Sequence, residues 1–424
     1  MSSPPVYERG TFSVSASLPA YSPRPADAMA TRAFSGSRGS TEHIFALKDK
    51  KNKTWATLTL ASSAPAPSSL PTYLEGDKIT GSLSLNIPAN QKIAEVSIIV
   101  RGEIIPGPQQ QNTLCFLDIS VPLWSKNQRG AASPSLSGEF HWPFSIDIPR
   151  DVVLADPRIP GALRTYILPQ TFLEKTAKIT GSAHYYLLAK ITRSALLFRD
   201  DAELRTMFVY VPALRPDPPS LLRQLAYQEN TPIPGPEIDA EGWHTCPAVT
   251  VKGTVFNNRT AEVQCVFSLS KPLSYTRGGV IPCSIDFFCR DLQALNLLCT
   301  PISIDVRLYR EVKCSSSSPW LNSNPSRPIE DFEENSRAVW WQASAEHQGQ
   351  GSRRFEGEIH LARTLKPTSL ISHFTLTYFV LVMPFEVTGF LSADTRPLIR
   401  QEVDIATICA KGPRPRCYAP RGSD

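Results

Sequence analysis

Near its N-terminus the chain reads Pro4-Pro5-Val6-Tyr7, and fourteen residues further on Leu18-Pro19-Ala20-Tyr21. These spacings suit recognition rather than catalysis. Two adjacent prolines hold a pre-formed polyproline II segment that fits the aromatic groove of a WW domain, and a tyrosine two residues later drops into a second pocket. Little chain entropy is lost, because proline has already restricted the backbone. The surrounding stretch SSPPVYERGTFSVSASLPAYSPRP has no apolar periodicity. Both motifs are therefore expected in a disordered segment, residues 1–40, within a partner's reach. A flexible spacer of that length spans about 20 Å, enough for two WW domains of one protein to engage together. Pro4, Pro5 and Tyr7 are the main candidate binding residues, and Leu18, Pro19 and Tyr21 the auxiliary ones. A third variant, Leu70-Pro71-Thr72-Tyr73, abuts an expected strand and reads as structural.

Constellations for covalent or hydrolytic chemistry are missing from the sequence: there is no GxSxG, no P-loop and no HExxH. The seven histidines are scattered. The nine cysteines are odd in number, irregularly spaced and without a CxxC pair, so they read as small buried hydrophobes of a reducing compartment rather than disulfides or a zinc site. No enzyme activity, cofactor or metal is expected. The run KDKKNK, Lys48 to Lys53, reads as a charged turn, and Ser125 to Gly138 and Cys314 to Pro328 as surface loops. Trp340-Trp341 is expected to place at least one ring in a core.

The elements that must carry these residues are strands. An apolar fraction of 42% with 20% charged residues is ordinary for a folded soluble chain, and 38 prolines spread between apolar runs argue against long helices. In ITGSLSLNI, Ile79, Leu83, Leu85 and Ile87 alternate with polar residues, the pattern of a half-buried strand. ISIDVRLYR repeats it with Ile302, Ile304, Val306 and Leu308 inward, and Val249 to Phe256 and Val263 to Leu269 form two more strands about a turn. The apolar run Phe374 to Phe385 is too short to cross a bilayer as a helix and reads as a buried strand. Short helices are expected at Leu221 to Gln228 and at Asp331 to Ala345. The first twenty residues lack an apolar core, so no signal peptide is expected and the protein is read as soluble and intracellular. A net charge of +5 tolerates an acidic membrane surface without arguing for nucleic acid.

An internal echo organises the whole. YLEGDKITGSLSL from Tyr73 aligns without gaps on YTRGGVIPCSIDF from Tyr275, matching at Tyr73/Tyr275, Gly76/Gly278, Ile79/Ile281 and Ser82/Ser284. VSIIVRGE from Val96 is echoed by ISIDVRLY from Ile302. So long a period means two copies of one domain, joined by the proline-stiffened LRPDPPS.

The order of these segments resembles the arrestin family over most of residues 41–411, and most of all the fungal members of its α-arrestin branch. Tyr73, Gly76, Asp77, Ile79 and Gly81, then FHWPFSIDIP, LPQTF and AHYYLLAKITR, look like an arrestin N-domain. FSLSKPLSYTRGGVIP, FEGEIHLARTLKPTSLI and FTLTYFVLV look like its C-domain. The resemblance implies an all-β protein of two tandem immunoglobulin-like β-sandwich domains. The N-domain would be 41–214, the linker 215–220, the C-domain 221–411 and a short tail 412–424. It further implies a non-enzymatic cytoplasmic adaptor, peripheral at the plasma membrane or endosomes, that links a membrane transporter or receptor cargo to a WW-domain HECT-type ubiquitin ligase. In α-arrestins that motif commonly follows the second domain, whereas here it stands at the front. Two rivals are an arrestin-fold sorting scaffold that recruits no ligase and a β-sandwich glycosidase, which needs two carboxylates facing one cleft.

Overall fold

Alternating apolar and polar side chains, interrupted often by proline, favour a pleated backbone over a helical one, and strands account for nearly all the regular structure. The computed structural model describes residues 40–49, 51–88, 93–106, 113–126, 136–157, 159, 161–193, 201–314, 329–344 and 349–420. Residues 40–424 form one compact unit.

The first half holds β1 (Thr41–Lys48), β2 (Thr54–Ser62), β3 (Thr72–Leu74), β4 (Lys78–Ile87), β5 (Ile93–Pro106), β6 (Leu114–Ser125), β7 (Gly138–Asp147), β8 (Asp151–Ala155), β9 (Leu163–Ile167), β10 (Phe172–Lys175), β11 (Thr180–Arg193) and β12 (Ala202–Val211). Helix α1 (Leu221–Glu229) follows, starting on Ser220, whose side chain caps Arg223 N, and stopping at Asn230 in the left-handed region, φ 59°. The second half holds β13 (Trp243–Thr245), β14 (Val249–Val255), β15 (Arg259–Ser270), β16 (Ser274–Thr276) and β17 (Val280–Phe288). After helix α2 (Leu292–Leu298) come β18 (Val306–Cys314), β19 (Ile329–Gln342), β20 (Ser352–His360), β21 (Ser369–Ile371), β22 (Phe374–Val382), β23 (Glu386–Val387), β24 (Phe390–Ser392) and β25 (Ile399–Ala406).

Both halves repeat one strand order. The sheet β1-β2-β4-β7 is matched by β14-β15-β17-β20, and β3-β12-β11-β5-β6 by β16-β25-β22-β18-β19. Even the side strand recurs, with β10 on β11 and β21 on β22. Among the described residues every strand pairing stays within 41–211 or within 243–406. In each half the inward side chains meet between the layers: Leu58, Leu83, Ile98 and Tyr185 in the first, Val263, Phe287, Leu308 and Tyr378 in the second. The fold is an all-β sandwich type.

The echoed segments explain the repeat. Tyr73 lies at the centre of β3, which runs parallel to β12; Tyr275 lies at the centre of β16, which runs parallel to β25. In each copy a turn then reverses the chain into a long strand, through Gly76 at φ 89° and Gly278 at φ 79°. Those angles favour glycine, since a Cβ would crowd the adjacent carbonyl.

Two expectations need correction. The helix expected from Asp331 onward is a strand instead: β19 runs from Ile329 to Gln342. Its glutamates favour a helix in isolation, but here they face cations on β18. Glu334 meets Arg307 at 2.8 Å, Glu330 meets Lys313 at 3.1 Å and Glu333 pairs with Arg310. The strand pairs with β18 along its first part and with β20 along Ala338 to Gln342, so it passes from one layer to the other. The strand expected from Ile302 begins only at Val306; Ile302 sits in a turn and is 96% exposed. The helix at Leu221, the buried strand at Phe374 and the core position of Trp340 are as expected. Among the described residues no helix is long and apolar enough to cross a membrane.

Candidate functional site

Pro4, Pro5, Tyr7, Leu18, Pro19 and Tyr21 all lie outside the described residues. The third variant is fully placed. Pro71 gives its carbonyl to Val209 N at 2.8 Å, and the Tyr73 ring is 1% exposed, edge-on to Phe208 at 5.4 Å. A tyrosine locked into the core in this way has no face left for a WW pocket, so Leu70 to Tyr73 is structural, as expected.

Two other assemblies stand out, and sequence reasoning missed both. The first is the junction between the halves. Glu174 on β10 is 1% exposed and lies 3.1 Å from Arg310 on β18 and 2.5 Å from Lys366 Nζ. Lys366 also donates to Leu173 O, and Tyr378 donates its hydroxyl proton to Lys366 O at 2.6 Å. A buried carboxylate needs such company, because leaving water unpaired would cost several kcal/mol. Around it, Lys178 N donates to Asp331 at 3.0 Å and Arg277 to the Gln170 amide oxygen at 2.9 Å. Phe374 packs on Phe172 with centroids 5.0 Å apart and closes over Gly181, where a Cβ would approach its ring to 2.4 Å. The segment expected as a linker is tied down too: Leu214 N donates to Thr407 Oγ1 and Thr407 N to Leu214 O, at 2.9 and 3.0 Å.

The second assembly covers the outer face of the second half. Alternation along β20 turns Phe355, Gly357 and Ile359 inward and leaves Arg354, Glu356, Glu358 and His360 outward. Helix α1 and the run after it pack over this face. Arg223, 1% exposed, donates to Lys271 O at 2.8 Å and Gly242 O at 2.7 Å, and its guanidinium lies 5.0 Å from the Trp243 ring centre. Burial pushes its pKa below the ordinary guanidinium value. The C-terminal segment crosses the same face. Tyr418 N and Ala419 N donate to the two oxygens of Glu358 at 2.6 and 3.2 Å, and Arg416 donates to the Asn230 side chain at 2.9 Å.

Between these covers lies a cavity of about 450 Å³, bounded by Pro232, Pro234, Trp243, Trp341 and Tyr418 and floored by Ser284 and Glu356. Its carboxylates already hold partners. Glu237 pairs with Arg354, Glu356 accepts from Trp341 Nε1 at 3.2 Å, and Glu358 takes the two backbone N–H groups just described. Ser284 Oγ is buried there without a hydrogen-bond partner among the described residues. The volume suits a small ligand or an aromatic side chain.

All nine cysteines are free thiols. Cys265 and Cys283 point into the core, where burial pushes the Cys265 thiol up to about 12 and Cys283 well above its ordinary value. Cys115 and Cys417 are exposed. No protein-family model and no curated protein matches this chain.

Proposed function

We propose that this chain is an arrestin-type adaptor of two tandem sandwiches that links a membrane transporter or receptor to a WW-domain HECT-type ubiquitin ligase, for ubiquitination and endocytic sorting. The repeat of one strand order in both halves, down to the parallel strands carrying Tyr73 and Tyr275, is the observation that supports it most. That repeat agrees with the two-domain organisation the resemblance implies. Pro4, Pro5 and Tyr7 are the proposed ligase handle, with Leu18, Pro19 and Tyr21 as a second, weaker foothold. The sandwiches are the cargo platform, and the charged junction around Glu174 fixes one half against the other. In this reading the protein works in the cytoplasm, peripherally at membranes, and supplies no catalytic group of its own.

Reconstituted ubiquitination tests the reading. With a HECT ligase carrying WW domains, the wild-type chain is expected to become ubiquitinated and Tyr7→Ala to lose most of that modification. Equal modification of both proteins would leave the sorting scaffold without ligase recruitment as the better account.

A further inference from the structure

Three side chains that share no local sequence motif meet on the outer face of β20. Glu358 and His360 are two residues apart on one strand and so point the same way, while Cys417 arrives from the C-terminal segment. Cys417 Sγ lies 3.9 Å from His360 Nε2, and His360 Nε2 lies 3.7 Å from Glu358 Oε2. One donor atom from each falls within 4.8 Å of the others. Around a tetrahedral ion with metal–ligand bonds of about 2.0–2.3 Å, donors stand about 3.3–3.8 Å apart. The two separations that His360 Nε2 makes, 3.9 Å to Cys417 and 3.7 Å to Glu358, need close by only a few tenths of an ångström to reach that spacing.

The charge balance is a second, independent observation. Glu358 is 1% exposed, yet among the described residues its one ionic partner is His360, which is charged only when protonated. The backbone N–H groups of Tyr418 and Ala419 satisfy its lone pairs in part but bring no full positive charge. By contrast, buried Glu174 holds both an arginine and a lysine. A buried carboxylate facing an imidazole and a thiol, with no fixed cation among the described residues, has the charge and the donors that a metal ion would complete.

We propose that Glu358, His360 and Cys417 bind a divalent transition metal of the zinc class, with solvent water in the fourth position. One sulfur, one nitrogen and one oxygen form a borderline-soft donor set that suits zinc and disfavours the hard cations calcium and magnesium. Binding forms a metal–thiolate bond, and the Cys417 proton leaves to solvent. Because Cys417 belongs to the segment that crosses β20, the ion clasps residues 412–420 to the sheet and keeps Tyr418 over the cavity.

The test uses the full chain, stripped of metal with a chelator and titrated with zinc against a chromophoric competitor. His360→Ala and Cys417→Ser alter an exposed or half-exposed side chain, so both variants are expected to keep the wild-type thermal transition. Wild type is expected to take up one equivalent of zinc, with each variant weaker by more than about 100-fold. Cys115→Ser, which removes the other exposed thiol, is expected to bind like wild type. Cobalt in place of zinc should give a sulfur-to-metal charge-transfer band that Cys417→Ser abolishes. Zinc should also slow hydrogen exchange across 412–420 in wild type but not in Cys417→Ser. No uptake at micromolar zinc, or uptake indifferent to both substitutions, would overturn the proposal.

Discussion

Tyr73 and Tyr275 hold the same place in the two halves, each at the centre of a three-residue strand lying parallel to the strand that closes its own half. Their hydroxyls differ. Tyr275 donates to Ser270 O at 2.5 Å, whereas the Tyr73 hydroxyl is buried without a partner among the described residues. The equivalent position and the unlike hydrogen bonding make a matched pair of substitutions informative.

Tyr73→Phe is expected to leave stability unchanged or raise it by up to about 1 kcal/mol, since a desolvated hydroxyl is removed at no loss of contact. Tyr275→Phe is expected to cost about 1 kcal/mol, because a buried acceptor loses its donor. Equilibrium urea unfolding of both variants decides it. Equal losses would mean that the two hydroxyls are equivalent in solution.

At the junction between the halves, Glu174→Gln is expected to destabilise by about 3 kcal/mol, since it removes the buried charge that Arg310 and Lys366 share and leaves them beside a neutral amide. A double-mutant cycle with Lys366→Met should show a coupling of about 1 kcal/mol or more. The comparison is Lys252 with Glu262, a pair 3.1 Å apart whose side chains are 64% and 62% exposed. Glu262→Gln is expected to change stability by less than about 0.5 kcal/mol. If the two glutamates gave the same effect, the junction would be no more than a surface ion pair.

Burial pushes the His184 and His373 imidazoles below their ordinary value. As the pH falls through about 6.5, the unfolded chain takes up protons that the folded chain still refuses. Their contribution is therefore complete above the ordinary histidine value, declines as the pH drops through it and levels off below the depressed folded value. Thermal unfolding from pH 8 to pH 5 should show a smaller acid loss for His373→Gln than for wild type. Parallel curves would show that His373 titrates alike in both states.

The fold was legible where apolar alternation is regular. Ile79, Leu83, Leu85 and Ile87 are all buried, and the glycines of the echo both take the positive φ that their turns require. Alternation failed where composition spoke for a different element. The glutamates of β19 suggest a helix until the cations of β18 are placed opposite them, which only the pairing reveals. The same limit hid the junction, because Glu174, Arg310 and Lys366 belong to separate elements and become neighbours only when the halves pack. Cysteine spacing was equally blind to Cys417: its neighbours Glu358 and His360 are supplied by a strand, not by a second cysteine nearby in sequence. Burial of Ser284 and Glu358 on an outward face was also invisible, since it depends on α1 and the C-terminal segment covering that face.

In the proposed function, Pro4, Pro5 and Tyr7 are a ligase handle on a two-sandwich platform. Calorimetric titration of a tandem WW module into the full chain tests it most directly, beside Tyr7→Ala and Tyr21→Ala. Micromolar binding is expected, abolished by Tyr7→Ala and weakened roughly tenfold by Tyr21→Ala through loss of a second tethered contact. Absence of binding by the wild-type chain, or binding indifferent to Tyr7, would contradict it.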